Sequence, residues 1–199
     1  MKLRVGFEAE FVYRGQFMDD LQADLLEKLG IPTDHLVLFG EGDFDEPNWY
    51  VANDCSISLA DKDKECDAEI IAPPQTVPQL LTDLRRVLQF IPDHGYTTDT
   101  TALHFTVSGG NPDIERIVQT CNDSVWLRVW GRENNPYSAC SLHHLLESDL
   151  CDKRYSVNQH NGPGVIEFKH IGGPHYEKRW PLIMLALQDF LRAYTGACS

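Results

Sequence analysis

The chain has 199 residues, is 42% hydrophobic and 24% charged, and carries a formal net charge of −13 at pH 7. Those proportions suit a globular domain with a real apolar core, and the acidity excludes non-specific nucleic-acid binding, which needs a basic surface. No window approaches the ~20 apolar residues of a membrane span and the N-terminus lacks a secretion-signal pattern, so a cytoplasmic protein is expected.

The first element is a strand over residues 3–13. Leu3, Val5, Phe7, Ala9 and Phe11 alternate onto one face, which leaves Glu8 and Glu10 together on the other. Two like charges on one face repel, so water or a cation must compensate them. Phe17, Leu21, Leu25 and Leu29 then recur at helical spacing over 16–29, stopped by Gly30 and Pro32. Residues 41–48 and 60–65 are acidic and turn-rich and read as solvated loops around a strand over 49–59. A strand over 66–72 carries Glu69 just before two prolines.

The strongest helix spans 76–91. Thr76 stands at its N-terminus with Pro78 in the first turn, and Leu80, Leu81, Leu84, Leu88 and Ile91 form its stripe. In a strand over 100–108, Leu103, Phe105 and Val107 make the apolar side and His104 looks the other way. A helix opens at Asn111–Pro112 and runs through Cys121. Strands over 154–158 and 165–171 join through turn chemistry at 159–164. The first groups Arg154, Ser156 and Asn158, and the second alternates Ile166, Phe168 and His170 with Val165, Glu167 and Lys169. A last helix covers about 181–194. With no repeat, low-complexity tail or linker, a single α+β domain over 1–199 is expected.

The six cysteines form no CxxC pair, and in a reducing compartment they are expected to be free. Cys140, His143, His144 and Cys151 match no common zinc spacing, and the adjacent histidines point apart. The strand faces are more telling. Each sets single ionisable residues between bulky apolar neighbours. If these faces converge, four carboxylates (Glu8, Glu10, Glu69, Glu167) and His104 need divalent cations to coexist. Oxygen-rich ligands select magnesium, with manganese tolerated because of the imidazole. Arg154 and Lys169 then suit a phosphate, Arg154 through its planar fork. There is no P-loop and no GxGxxG, so the common phosphate cradles are absent.

The stretches "GFEAEF", "DCSI", "AEIIAPP", "ALHFTVSG", "RYSVN" and "VIEFKHIGG" occur in that order across residues 6–173. In them the chain resembles the amidoligase family, small carboxylate–amine ligases that share the catalytic fold of glutamine synthetase and glutamate–cysteine ligase. The resemblance implies a curved antiparallel sheet forming a funnel, with helices on its outer face and ATP and metals on the concave one. It implies metal ligation by Glu8, Glu10, Glu69, His104 and Glu167, and contact of Arg154 with the ATP phosphates. Lys169 stands where the family usually has Arg, keeping the charge without the fork. Arg132, in "GRENNPYSAC", falls near a family loop with Arg and Tyr and is aligned with nucleotide binding.

The implied reaction is amide-bond formation between a small-molecule or peptide carboxylate and an amine, through an acyl phosphate. Asp54 either handles the incoming amine or simply turns the chain. Two other readings compete: a guanidino-type phosphotransferase with a related sheet, and a nucleotide- or peptide-binding module without turnover.

Overall fold

The computed structural model describes residues 2–15, 17–32, 35–38, 48–144 and 152–198, without the side chains of Leu38 and His144. Its centre is strand β1 (Arg4–Tyr13), and helix α1 (Met18–Leu29) follows. Gly30 ends the helix at φ 64°, a left-handed conformation that glycine adopts without steric cost. Short strands β2 (Leu36–Leu38) and β3 (Trp49–Ala52) precede β4 (Cys66–Gln75), helix α2 (Val77–His94) and the two-residue β5 (Gly95–Tyr96). Then come β6 (Ala102–Ser108), helices α3 (Ile114–Thr120) and α4 (Asp123–Val129), β7 (Val157–Asn158), β8 (Ile166–Gly172) and the final helix α5 (Trp180–Ala197).

The expected α+β class holds. The strands form one sheet ordered β2-β3-β4-β1-β6-β8-β7, with β5 paired to the end of β1. The sheet is mixed rather than wholly antiparallel: β2 runs parallel to β3, with Leu36 opposite Trp49. A parallel pair cannot close through a tight turn and needs a longer return. Residues 39–47, and with them nearly all of the loop expected over 41–48, lie outside the described residues.

Val5, Phe7, Ala9 and Phe11 of β1 meet the apolar faces of β4, β6 and β8 and the stripes of α1, α2 and α5 in one core. Ring contacts tie its ends, with Phe7 edge-on to Trp49 at 5.8 Å and Phe168 stacked on Phe190 at 4.6 Å. No described helix is long and apolar enough to cross a membrane.

Several boundaries differ from expectation. The strand expected over 49–59 stops at Ala52, because Asp54 folds the chain into a turn: its carboxylate accepts Ser56 N at 2.9 Å and its carbonyl accepts Ile57 N at 3.0 Å. The strand expected over 154–158 shrinks to Val157–Asn158. Helix α4, unseen in the sequence, begins where Asn122 turns left-handed at φ 53° and separates it from α3.

Candidate metal centre and its cleft

Strand register builds the site. Across β1 and β4 Glu10 stands opposite Glu69, and across β1 and β6 Glu8 stands opposite His104. Next along the sheet Glu167 of β8 pairs with Thr106, and Asn158 of β7 pairs with Glu167. One row of four carboxylates and an imidazole therefore crosses the polar face, opposite the helices.

The His104 ring lies at its centre. Nδ1 is 3.2 Å from Glu8 and 3.5 Å from Glu167, while Nε2 is 3.4 Å from Glu10. Asn158 Nδ2 donates to Glu167 at 2.8 Å and so fixes that carboxylate. Two sets of groups can each hold an ion: Glu8, His104 and Glu167, and Glu10, Glu69 and His104, with ligand atoms within 4.8 Å of one another in each set.

Burial governs the electrostatics. It pushes the Glu10 carboxyl up to about 8, reinforced by the Asp54 charge and opposed by Arg132 and Lys169. Glu8 and Glu69 are likewise raised, first by burial; the neighbouring acids push Glu69 further, while Lys169 and a hydrogen bond with Glu69 partly offset the rise at Glu8. His104 is pushed down to about 3 by burial and by Lys169, so the imidazole is neutral and its lone pair is free for a metal. A set of buried oxygens plus one neutral nitrogen fits magnesium or manganese; the described cysteines stand apart from it.

The row floors a cleft of about 920 Å³. Gly6, Ile71, Ala72 and Val165 give it an apolar shelf, and Arg132, Lys153, Arg154 and Lys169 give it a basic side. The proposed site residues thus line one cavity, Asp54 included. Asp54 turns the chain there and also adds its charge to the field at Glu10, so the two roles weighed for it are compatible in space.

The basic residues are not equivalent. The Arg154 fork is taken by Asp152, with Nε 2.9 Å and Nη2 2.5 Å from the same oxygen, on an exposed turn. The alternation that grouped Arg154, Ser156 and Asn158 fails, because this segment is mostly turn: Ser156 bonds Asp123 while Asn158 bonds Glu167. Lys169 donates Nζ to Lys153 O at 3.2 Å, and its charge acts on Glu8 and Glu10 from there. A bulge on β8 sets Lys169 and His170 opposite His104; Lys169 lines the cleft and His170 stacks on Phe190 at 4.9 Å.

Arg132 is 4% exposed and donates Nη1 to Thr101 O at 3.3 Å, while its Nε has no partner among the described residues. A Cβ on Gly172 would meet Nη1 at 2.0 Å, so only glycine lets the guanidinium pass. Sequence reasoning placed Arg132 at the site but gave no sign of this burial. It missed the support from Asn158, and it missed Lys153 in the lining.

Cys140 belongs elsewhere: its thiol donates to Asp123 at 3.3 Å. Of the other zinc candidates, His143 is exposed, and Cys151 and the side chain of His144 lie outside the described residues.

Asp123 sets an acid limit on the fold. Burial alone would raise its carboxyl, but His170, Ser156 and Leu142 N hold it down at about 2, against an ordinary 3.8. A depressed folded value means stability that is present above the unfolded value and lost as pH falls through the folded one. Wild type is therefore expected to outlast Asp123→Asn by about 2 kcal/mol at neutral pH. Denaturant titrations should show that gap closing between about pH 4 and about 2. A gap independent of pH would refute this account.

No protein-family model matches the chain, and no curated protein matches it in sequence.

Proposed function

We propose that the chain is an ATP-dependent carboxylate–amine ligase with a glutamine synthetase-like sheet. The observation that carries this reading is the row Glu69–Glu10–Glu8–His104–Glu167 lining one cleft together with Lys169 and Arg132. Acids that bind metals, opposed by fixed cations, suit a transferring phosphoryl group. The shelf at Gly6, Ile71, Ala72 and Val165 offers an apolar seat for a nucleobase.

A carboxylate resists attack by an amine because its oxygen leaves poorly. In the proposed reaction, a substrate carboxylate oxygen bonds to the γ-phosphorus as the bond to ADP breaks. The amine nitrogen then bonds to the carbonyl carbon of the acyl phosphate, phosphate departs and the nitrogen loses a proton. Magnesium held by Glu8 and Glu167 or by Glu10 and Glu69, with His104 completing one of the two sets, would supply charge neutralisation for the polyphosphate. Lys169 and Arg132 add fixed positive charge beside the buried carboxylates, where low local polarity strengthens it. Asp54, at the cleft wall, is placed to hold the ammonium form of the amine or take its proton.

Hydroxylamine tests this without knowledge of the amine. Incubated with protein, magnesium, ATP and a panel of carboxylic acids, it should trap the true acid as a hydroxamate, with ADP and phosphate in equal amounts. Release of AMP would overturn the acyl-phosphate step. Tight magnesium–ATP binding with no hydroxamate from any acid would favour a binding module.

A further inference from the structure

On the helix side of the sheet, behind Lys169, lies a closed polar network that the proposed chemistry does not use. Asp123, at the start of α4, is buried and accepts four donors. Its Oδ1 takes Ser156 Oγ at 2.5 Å and His170 Nε2 at 2.7 Å; its Oδ2 takes Leu142 N at 3.0 Å and Cys140 Sγ at 3.3 Å. Ser141 Oγ extends the network by bonding Val157 N at 2.8 Å and Val157 O at 2.9 Å. These donors come from the 138–142 segment, the approach to β7, and β8.

The network reaches the basic side of the cleft through the backbone. Lys169 N donates to Ser156 O at 2.7 Å, and Lys169 O accepts Ser138 Oγ at 2.7 Å. Ala139 N donates to Arg154 O at 2.8 Å. Both main-chain polar groups of Lys169, and the carbonyl of Arg154, are thus pinned by the segment that Asp123 clamps.

We propose that Asp123 is a positioning residue for the cleft. By clamping residues 138–142 to β7 and β8, it sets where Lys169 and the 153–154 turn stand relative to the acidic row. A buried carboxylate is costly unless every lone pair is used, so losing one partner exposes the rest to an unpaired charge. Apolar packing would serve stability alone at least as well. What the ionic hub adds is one specified arrangement of three segments distant in sequence. Lys carries a compact charge on a flexible stem, so its reach depends on where its backbone is held, and displacements of about 1 Å suffice to impair transfer. His170 has no partner on Nδ1 among the described residues, and its ring is held by Asp123 and by stacking on Phe190.

The proposal rests on the ligase reading only for its first probe, the β,γ-imido analogue of ATP. Manganese affinity is read by electron spin resonance, and analogue affinity in excess manganese by calorimetry, for wild type, Asp123→Asn and Ser156→Ala. Asp24→Asn is the stability control; it weakens the ties of Asp24 to Tyr13 and His94, none of which belongs to the Asp123 network.

Both network variants should keep manganese affinity within about twofold while the analogue Kd rises about tenfold, the low end for partners that orient a binding group. Asp24→Asn should change neither. Parallel loss of both affinities, or unchanged analogue binding in a folded variant, would overturn the proposal. If Asp123→Asn fails to fold, Ser156→Ala decides.

If wild type itself fails to bind the analogue, the ligase reading falls and amide exchange at Lys169 is decisive. Exchange at least tenfold faster in the network variants than in wild type would support the clamp, and equal protection would overturn it.

Discussion

Glu10→Gln is expected to abolish the stabilisation that magnesium and ATP confer together, and to cost at least about 10² in any ATP-dependent turnover. Glu10 stands opposite Glu69, 3.4 Å from His104 Nε2, and belongs to one of the two ion-holding sets. Glutamine keeps the shape but removes the charge a hard cation needs.

The same change should stabilise the metal-free protein. A carboxyl whose folded value is raised costs nothing below its unfolded value, and the cost grows as pH climbs between the two. For Glu10 that window runs from its ordinary 4.5 to about 8. At pH 8, metal-free Glu10→Gln should melt about 5 °C above wild type, equivalent to roughly 1–2 kcal/mol in a chain of this size. Thermal melts with and without magnesium plus ATP check both halves. A variant with normal ligand-induced stabilisation would sink the metal assignment.

Lys169→Ala is expected to lower kcat by about 10²–10³, the scale for losing one preorganised donor to developing charge. Arg154→Ala should cost far less. Composition alone favours Arg154, because its fork can hold a phosphate by two bonds. Both residues line the cleft, but the Arg154 fork is occupied by the Asp152 carboxylate on an exposed turn, whereas Lys169 donates only to a neutral carbonyl, Lys153 O, among the described contacts and its charge acts on Glu8, Glu10 and His104. Lys169→Arg should retain most of the rate, since the charge stays. Kinetics of the three variants at saturating magnesium–ATP decide it. A larger loss at Arg154 would mean that the 153–154 turn abandons Asp152 when substrate binds.

The sequence by itself determined which face the long strands β1 and β6 offer. Period-two alternation is a local property of extended backbone, so Glu8 and Glu10 had to share a side opposite Val5, Phe7, Ala9 and Phe11, and His104 had to oppose Leu103 and Phe105. The α1, α2 and α5 stripes were legible for the same reason, since 3.6-residue spacing belongs to the helix alone. Tertiary structure decided everything that depends on which strand lies beside which. Register put Glu10 against Glu69 and Glu8 against His104, and the β8 bulge set Lys169, already on the Glu167 face by alternation, level with His104. Asp123 is the clearest case. Its partners stand at positions 140, 142, 156 and 170, so no spacing along the chain announces them. Burial behind the sheet makes those bonds obligatory, because a carboxylate removed from water must find its donors within the fold.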